Sequence, residues 1–290
     1  MPKIDIEVVL KVTQRTPSLP QATLRALQVI DDPDHNVSEL ARVIGLDQTL
    51  AARVLQWANS PFYGLRYKVA TLDHAIMVMG TRAVQGLLLA VAVREKLSKK
   101  MPGYGLERGD LWRHSVAVAA GARWIASLQK YAQPDQAFIA GLLHDIGKLI
   151  LDELLRYEPA WQIEWAKLQQ EGTSFIELEH WLTGLDHAQL GGQIAEKWNL
   201  PAVLIEAIAY HHDPNRATVE PCITEWVHLA DATALMIGVG LGYDGLCYKV
   251  SEQVLRSPTF RTLDLETLMQ VQVAAVHDAE DLFQISGAAT

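Results

Sequence analysis

The sequence predicts an all-α protein in two parts, an N-terminal bundle of about five helices packed on a second helical domain. Three observations lead there. Apolar residues recur at helical spacing in almost every segment. No run alternates apolar and polar residues as a half-buried strand would. Short clusters of Gly, Pro, Asp and Asn interrupt the chain at intervals that suit helices and their turns. With 49% hydrophobic and 20% charged residues in a chain of 290, the composition is globular.

The elements follow from their start and stop signals. Pro17 and Pro20 bracket a turn, and Asp31, Asp32 and Pro33 end a helix over residues 24–30. Ser38 is the expected N-cap of a helix running to Ile44, which Gly45 breaks. A helix over residues 47–58 follows, then a loop at Pro61 and Gly64, then helices over 71–79 and 81–97. Pro102, Gly103, Gly105 and Gly109 crowd the stretch 99–109, which predicts a linker between a domain of residues 1–98 and one of residues 110–290. In the second part, helices are expected over 110–130 and 134–145. Ser174 and Glu177 form a capping box, and Asp186 caps a helix over 187–198. Pro201 opens a helix that reaches His211 and His212 and stops at Pro214. Helices over 225–237 and 264–285 complete the chain.

Charge and cysteine content exclude several function classes. The net charge is −9 and no basic stripe is present, so nucleic acid and anionic membrane are not expected partners. Cys222 and Cys247 form no CxxC pair, which argues against a disulfide framework and fits a reducing cytoplasm. Asp5 and Glu7 interrupt the first ten residues, unlike a signal peptide. The apolar run 83–93 is too short to span a bilayer and reads as a buried helix. Residues 38–58 mimic a helix-turn-helix, but Arg53 is the only basic residue of the second helix, so the pair reads as packing. The tryptophans and the Phe62-Tyr63 pair read as core or interface.

The candidate chemistry lies in the second half. The run Gly141-Leu142-Leu143-His144-Asp145-Ile146-Gly147-Lys148 delivers an adjacent His and Asp to a buried helix end, with Gly147 letting the chain turn. Imidazole with carboxylate suits one or two divalent ions such as Fe, Mn, Zn or Mg. Lys148 could hold a phosphate oxygen as a point charge. Asp231 stands mid-helix in an apolar context, where a shared cation would satisfy its carboxylate. His114 follows Asp110 by one turn, and Asp110 reads as a helix cap rather than a ligand. His187 reads equally as a ligand or as an exposed first-turn residue. His211 and His212 lie about 100° apart on a helix, so both ligate only if the metals sit at that end. His35, His74, His180, His228 and His277 read as structural or solvated, and His228 is placed to support Asp231 from one turn away.

In order along the chain, His114, His144-Asp145 and Asp231 resemble the signature of the HD metal-dependent phosphohydrolase superfamily. With Lys148, His187, His211 and His212 the pattern resembles the HD-GYP phosphodiesterases of cyclic di-GMP. The Gly-Tyr-Pro element is absent, since Asp213-Pro214-Asn215-Arg216 follows the histidine pair. Leu19-Pro20, Ser38-Glu39-Leu40-Ala41, Asp47-Gln48-Thr49-Leu50, Ala58-Asn59-Ser60-Pro61 with Tyr63-Gly64, and Ala75-Ile76 with Met79-Gly80 resemble the N-terminal bundle of the HDOD family. Gln48 replaces the proline common there.

The resemblance covers residues 17–237. It implies a signalling output module whose second part is HD-like, in a family often joined to receiver domains. That module would act through a protein partner or a nucleotide ligand, with His114, His144, Asp145, His187, His211, His212 and Asp231 as metal ligands. The alternative is a metal-dependent phosphohydrolase or phosphodiesterase in which Lys148 serves catalysis. Without Gly-Tyr-Pro, little cyclic di-GMP hydrolysis is expected.

Overall fold

The computed structural model describes residues 4, 6–14, 18–32, 34–59, 68–156, 161–170 and 173–284. Pro17, Pro33 and the loop at Ser60, Pro61, Tyr63 and Gly64 lie outside the described residues, as does the end of the last predicted helix at Ile285. The fold is all-α. Among the described residues the extended pairing is an isolated bridge between Met101 and Leu106.

The chain divides into two compact units. One holds Met1–Pro17 and Lys96–Val273, and the other holds Ser18–Glu95 and Ala274–Thr290. In chain order the first helices are α1 (Ile6–Thr13), α2 (Gln21–Asp31), α3 (Val37–Gly45), α4 (Gln48–Ala58), α5 (Leu72–Met79) and α6 (Thr81–Leu97). Helices α2 to α5 and nearly all of α6 belong to the smaller unit. There α3 and α4 bury Leu40, Ala41, Val43, Ile44, Leu50, Val54, Trp57 and Ala58. That burial is what a packing pair requires, because an apolar face turned inward is what ties a short helix to its neighbours. Asp47 caps α4 through Leu50 N, and Thr71 caps α5 through His74 N.

The N-cap of α3 is Asn36, not Ser38. Asn36 accepts from Glu39 N at 2.8 Å, while the Ser38 hydroxyl turns outward to Asp73 at 2.9 Å. At the end of α4, Asn59 joins two segments. Its amide donates to Leu55 O and Val69 O, and its oxygen accepts from Val69 N at 2.7 Å. The apolar run of α6 is buried from Ala83 through Val93 apart from half-buried Val91, with Leu88 and Leu89 fully covered. Among the described residues no single helix is long and apolar enough to cross a membrane. Helices α5 and α6 pass that test only together, and they bend by 111° at Gly80.

In the larger unit, α7 (Asp110–Leu128) is the central helix, buried on most sides. Around it pack α8 (Pro134–Leu143), α9 (Lys148–Leu155), α10 (Trp161–Gln170), α11 (Phe175–Thr183), α12 (His187–Lys197), α13 (Ala202–Tyr210) and α14 (Pro221–Met236). The alanines Ala117, Ala119, Ala120 and Ala122 keep the α7 surface low, so α8 and α14 approach closely. Helices α15 (Glu252–Leu255), α16 (Pro258–Thr262) and α17 (Leu265–Gln284) follow, the residues of α17 from Ala274 on belonging to the smaller unit. The expected capping box at Ser174 and Glu177 is present, and Asp186 caps α12. Residues 99–109 turn back on themselves and bury Met101, Tyr104 and Leu106 within this unit. Several tryptophans, including Trp112, Trp161, Trp165 and Trp226, are core residues.

Candidate metal centre

Six helices of the larger unit deliver polar side chains to one point. His114 comes from the first third of α7 and Asp231 from the interior of α14. His144 ends α8 and His211 ends α13. His187 opens α12, and Lys148 opens α9 directly after the His144-Asp145 turn. Two helix C-termini and two helix N-termini face the cluster, so their partial charges largely offset and the side chains set its electrostatics. Gly147 is required for packing more than for turning. Its backbone is ordinary helix (φ −67°), but a Cβ there would lie 1.9 Å from the carbonyl oxygen of His187. The missing side chain lets α12 seat against the His-Asp turn.

The ligand atoms form three overlapping groups, each within 4.8 Å: His114, His144 and Asp145; His144, His211 and Asp231; and His187, His211 and His212. His114 Nε2 lies 3.0 Å from Asp231 Oδ1 and 3.7 Å from Asp145 Oδ2. His144 Nε2 is 3.4 Å from Asp145 Oδ2 and 3.8 Å from Asp231 Oδ1. His187 Nε2 is 3.1 Å from Asp145 Oδ1 and 3.0 Å from His212 Nε2. A cation with bonds of about 2.1 Å separates its ligands by roughly 3–4 Å. His114, His144, Asp145, His187, His211 and Asp231 are at most 4% exposed, and only His212 reaches toward solvent.

Each ring is oriented from behind. His114 Nδ1 donates to Val239 O, His144 Nδ1 to Gly141 O, and His211 Nδ1 to Ile208 O. His187 Nδ1 donates to both oxygens of Glu179, at 2.8 and 2.9 Å. With the proton committed at Nδ1, the Nε2 lone pair of each ring faces the cluster, the arrangement found behind metal-bound histidines. Nε2 of His144 and His211 are buried without a hydrogen bond. Such orphaned atoms are costly unless a cation or proton meets them. The charge census agrees. Asp145, Glu179, Asp231 and Asp244 are buried carboxylates, against the single ammonium of Lys148.

Protonated imidazoles carry the compensation in the absence of a cation. Burial pushes His187 down, but Glu179 and Asp145 outweigh it and lift the ring to about 10. Burial opposes His114 likewise, and Asp231 and Asp145 raise it. Burial drives His211 and His212 well below the usual histidine value, helped by the neighbouring rings. Neutral imidazoles of that kind are the form that ligates. Burial disfavours the charged form of Asp145, yet Lys148 and His144 hold its carboxyl well below the ordinary range. The residues present fit a divalent metal, and the His/Asp groups point to metal binding.

Several residues of the site were not singled out in the sequence. Glu179 orients His187 through both ring and backbone, accepting His187 N at 2.9 Å. Tyr104, from the 99–109 stretch, donates to Glu179 at 2.6 Å. Asp244 binds Lys148 at 2.9 Å, and Tyr248 stacks on His212 with ring centroids 4.4 Å apart. His228 supports His211 rather than Asp231, donating to His211 O at 2.7 Å. Asp110 points away from the cluster. It follows the N-cap Gly109, accepts from Glu107 N and pairs with Arg113.

Known proteins share this arrangement of helices. A solved structure of an HDOD domain protein of unknown function from Geobacter sulfurreducens is 25% identical, covers 96% of this chain and 94% of its own, and has a TM-score of 0.66. A candidate signal-transduction protein from Marinobacter aquaeolei is 24% identical over 96% of this chain and 60% of its own, with a TM-score of 0.67, a likeness of fold. Among curated proteins, an uncharacterised protein of Treponema pallidum is 28% identical over 210 residues, 70% of this chain. This chain spans 39% of that relative's length. The HDOD domain family model matches residues 16–214, well over half of the chain. With helices and His/Asp cluster as described, the protein belongs to the HDOD domain family.

Proposed function

We propose that the protein is a signal-transduction output module whose His/Asp cluster holds a divalent metal as a structural or ligand-sensing centre, and whose output is a contact with a partner protein. His114, His144, Asp145, His187, His211, His212 and Asp231 are the proposed ligands. One observation carries this reading: the proposed ligands are almost wholly buried, and the cavities of about 290 and 190 Å³ beside them meet only His212 and Asp231 of the set. Catalytic metal sites keep a coordination position open to substrate, whereas structural ones do not. Here the ligands other than His212 are at most 4% exposed, and Lys148 is already bound by Asp145 at 2.8 Å and Asp244 at 2.9 Å. A lysine so engaged is not free to neutralise a phosphate.

A second reading, a metal-dependent phosphohydrolase, is favoured by a polar cavity of about 290 Å³ beside His212, also lined by Arg216, Tyr248 and Lys249. A bound divalent cation would supply Lewis acidity and an activated water. Positioning the scissile group supplies as much as about 7–11 kcal/mol of barrier reduction, and no Gly-Tyr-Pro segment follows the histidine pair to help hold it. The two readings separate on one experiment. Protein analysed for metal by mass spectrometry is assayed against cyclic di-GMP and a panel of nucleotides. We expect bound metal and negligible hydrolysis of cyclic dinucleotides. Rapid turnover that disappears in Asp145→Ala would make the protein an enzyme.

A further inference from the structure

The histidines proposed as ligands are not held alike. His114, His144, His187 and His211 each have Nδ1 committed to a carbonyl or carboxylate behind the ring. His212 lies in the turn beyond α13, and among the described residues its Nδ1 meets no such partner. Its ring is held by neighbouring rings instead. Nε2 lies 3.0 Å from His187 Nε2, and one face stacks on Tyr248 with centroids 4.4 Å apart and planes 15° apart. A hydrogen bond behind a ligating ring fixes its angle and raises its basicity, so the ring without one is the weakest held. His212 is also half-buried where the others are buried.

The same ring is a wall of two cavities. The polar one of about 290 Å³ and a second of about 190 Å³ are both lined by His212, Tyr248 and Lys249. The smaller is apolar on most sides, with Ala232, Leu235, Met236, Leu246 and Val250, and its remaining walls include Asp231 and His228. It therefore touches two of the proposed ligands, Asp231 and His212. Asp231 is not free to leave, since its Oδ1 lies 3.0 Å from His114 Nε2 and it is buried in the interior of α14. His212 is free to turn. On the side of the polar cavity it keeps polar surroundings, with Asp186 and Asp213 among the walls. The smaller cavity then opens onto the position that its Nε2 had held.

Resting on the reading of the cluster as a metal centre, we propose that His212 is an exchangeable ligand, and that the smaller cavity binds the molecule that replaces it, a small neutral molecule carrying a nitrogen donor on an apolar ring. The donor follows from the position, which an imidazole nitrogen of this chain otherwise fills. The apolar ring follows from the walls of the cavity. Neutrality follows from charge. Asp145, Glu179, Asp231 and Asp244 outweigh Lys148 and one divalent ion, so an anion would enter against net negative charge. The buried ligands hold the centre together while His212 is turned away, and the signal is read at that one ring.

The test loads the full chain with cobalt(II), whose visible absorption changes with its ligand set. The loaded protein is titrated with imidazole, 4-phenylimidazole and azide at pH about 8, above the ordinary imidazole pKa. The phenyl derivative should change the spectrum and bind roughly tenfold tighter than imidazole or more, because the same donor gains a ring buried in the apolar cavity. Azide, charged and without a ring, should bind more weakly than either. Ala232→Met fills the cavity from a half-buried position, so that the phenyl derivative loses its advantage. His212→Ala should keep cobalt and bind imidazole tighter than the wild type does, because no ring has to be displaced first. Equal binding of the two rings by the wild type, azide binding tighter than both, or a His212→Ala chain that is folded by circular dichroism yet holds no cobalt overturns the proposal. The wild type and Ala232→Met decide it if His212→Ala does not fold. A chain that holds cobalt with a spectrum unmoved by every probe loses the exchange and keeps the metal centre, whereas a chain that takes up no metal loses both.

Discussion

The carboxylate of Glu179 grips His187 at both ends, its oxygens 2.8 and 2.9 Å from the ring Nδ1 while one of them also accepts the backbone N–H at 2.9 Å. Glu179 therefore fixes the ring angle, its tautomer and the first turn of α12 together. Glu179→Gln keeps the size and loses the charge. Groups behind metal-bound histidines are worth about 10–100-fold in affinity, and a loss of that order is expected by competition titration against a chelating dye. Tyr104→Phe removes a single charge-assisted bond to the same carboxylate, of about 1.5–3 kcal/mol, and leaves its grip on His187 in place. It should move affinity much less. Equal effects from the two variants would deny Glu179 this role.

Gly147 tests how tightly the His-Asp turn is wedged. In Gly147→Ala the new methyl meets a backbone carbonyl of α12, which cannot swing away as a side chain would. The expected cost is about 3 kcal/mol or more, at the upper end for overpacking. Gly238→Ala is the control. Its φ of +82° strains any side chain, but nothing lies within 4 Å, so roughly 1–2 kcal/mol is expected. Urea midpoints measure both, and a Gly147→Ala protein as stable as Gly238→Ala would refute the wedge.

Much of this was legible in the sequence because it is local. Helical period, the Ser174–Glu177 box and the cap at Asp186 depend on neighbours within one turn. The gathering of His114, His144, Asp145 and Asp231 came from ordered motifs. What escaped is long-range. Ser38 and Asn36 are both competent caps, and the choice was made by Asp73, 35 residues away, which takes the Ser38 hydroxyl. Helices α9 and α10 were not expected, since α9 starts immediately after the His-Asp turn with no separate capping signal. Glu179 left a trace that could have been read. It shares the helical stripe of Phe175, Leu178 and Leu182, where a carboxylate needs a buried partner. Asp244 left none, because nothing near it in sequence announces Lys148.

In the smaller unit, Asn59 is the residue on which a loop closes. Its amide and oxygen make two bonds to Val69 and one to Leu55, all to backbone groups. Asn59→Ala leaves those backbone groups short of partners. At about 1 kcal/mol per bond, partly recovered by water at this exposed end, a loss of about 2 kcal/mol is expected. Asn59→Asp restores only the acceptor and should fall between. Thermal denaturation of the three proteins checks the order, and an alanine variant as stable as the parent would refute it.

Metal linkage gives the last prediction. The buried lone pairs and carboxylates of the cluster are assembled only in the folded chain, so a cation they hold binds the native state in preference to the unfolded one. Its contribution is RT ln(1 + [L]/Kd), about 2.7 kcal/mol at a hundredfold excess over Kd. For a chain of this size each kcal/mol moves Tm by about 2–4 °C, so chelation should lower the midpoint by roughly 5–10 °C. One effect opposes this loss. Protons on His187 and His114 stand in for the cation in the stripped protein and soften the loss. The proposed ligands are buried, so the shift is to be measured after equilibration rather than at once. Asp145→Ala removes the carboxylate that faces His114, His144 and His187 together, and its midpoint should not respond to chelator. A wild-type protein shown to contain metal whose melting curve ignores chelation would mean that the ion sits elsewhere.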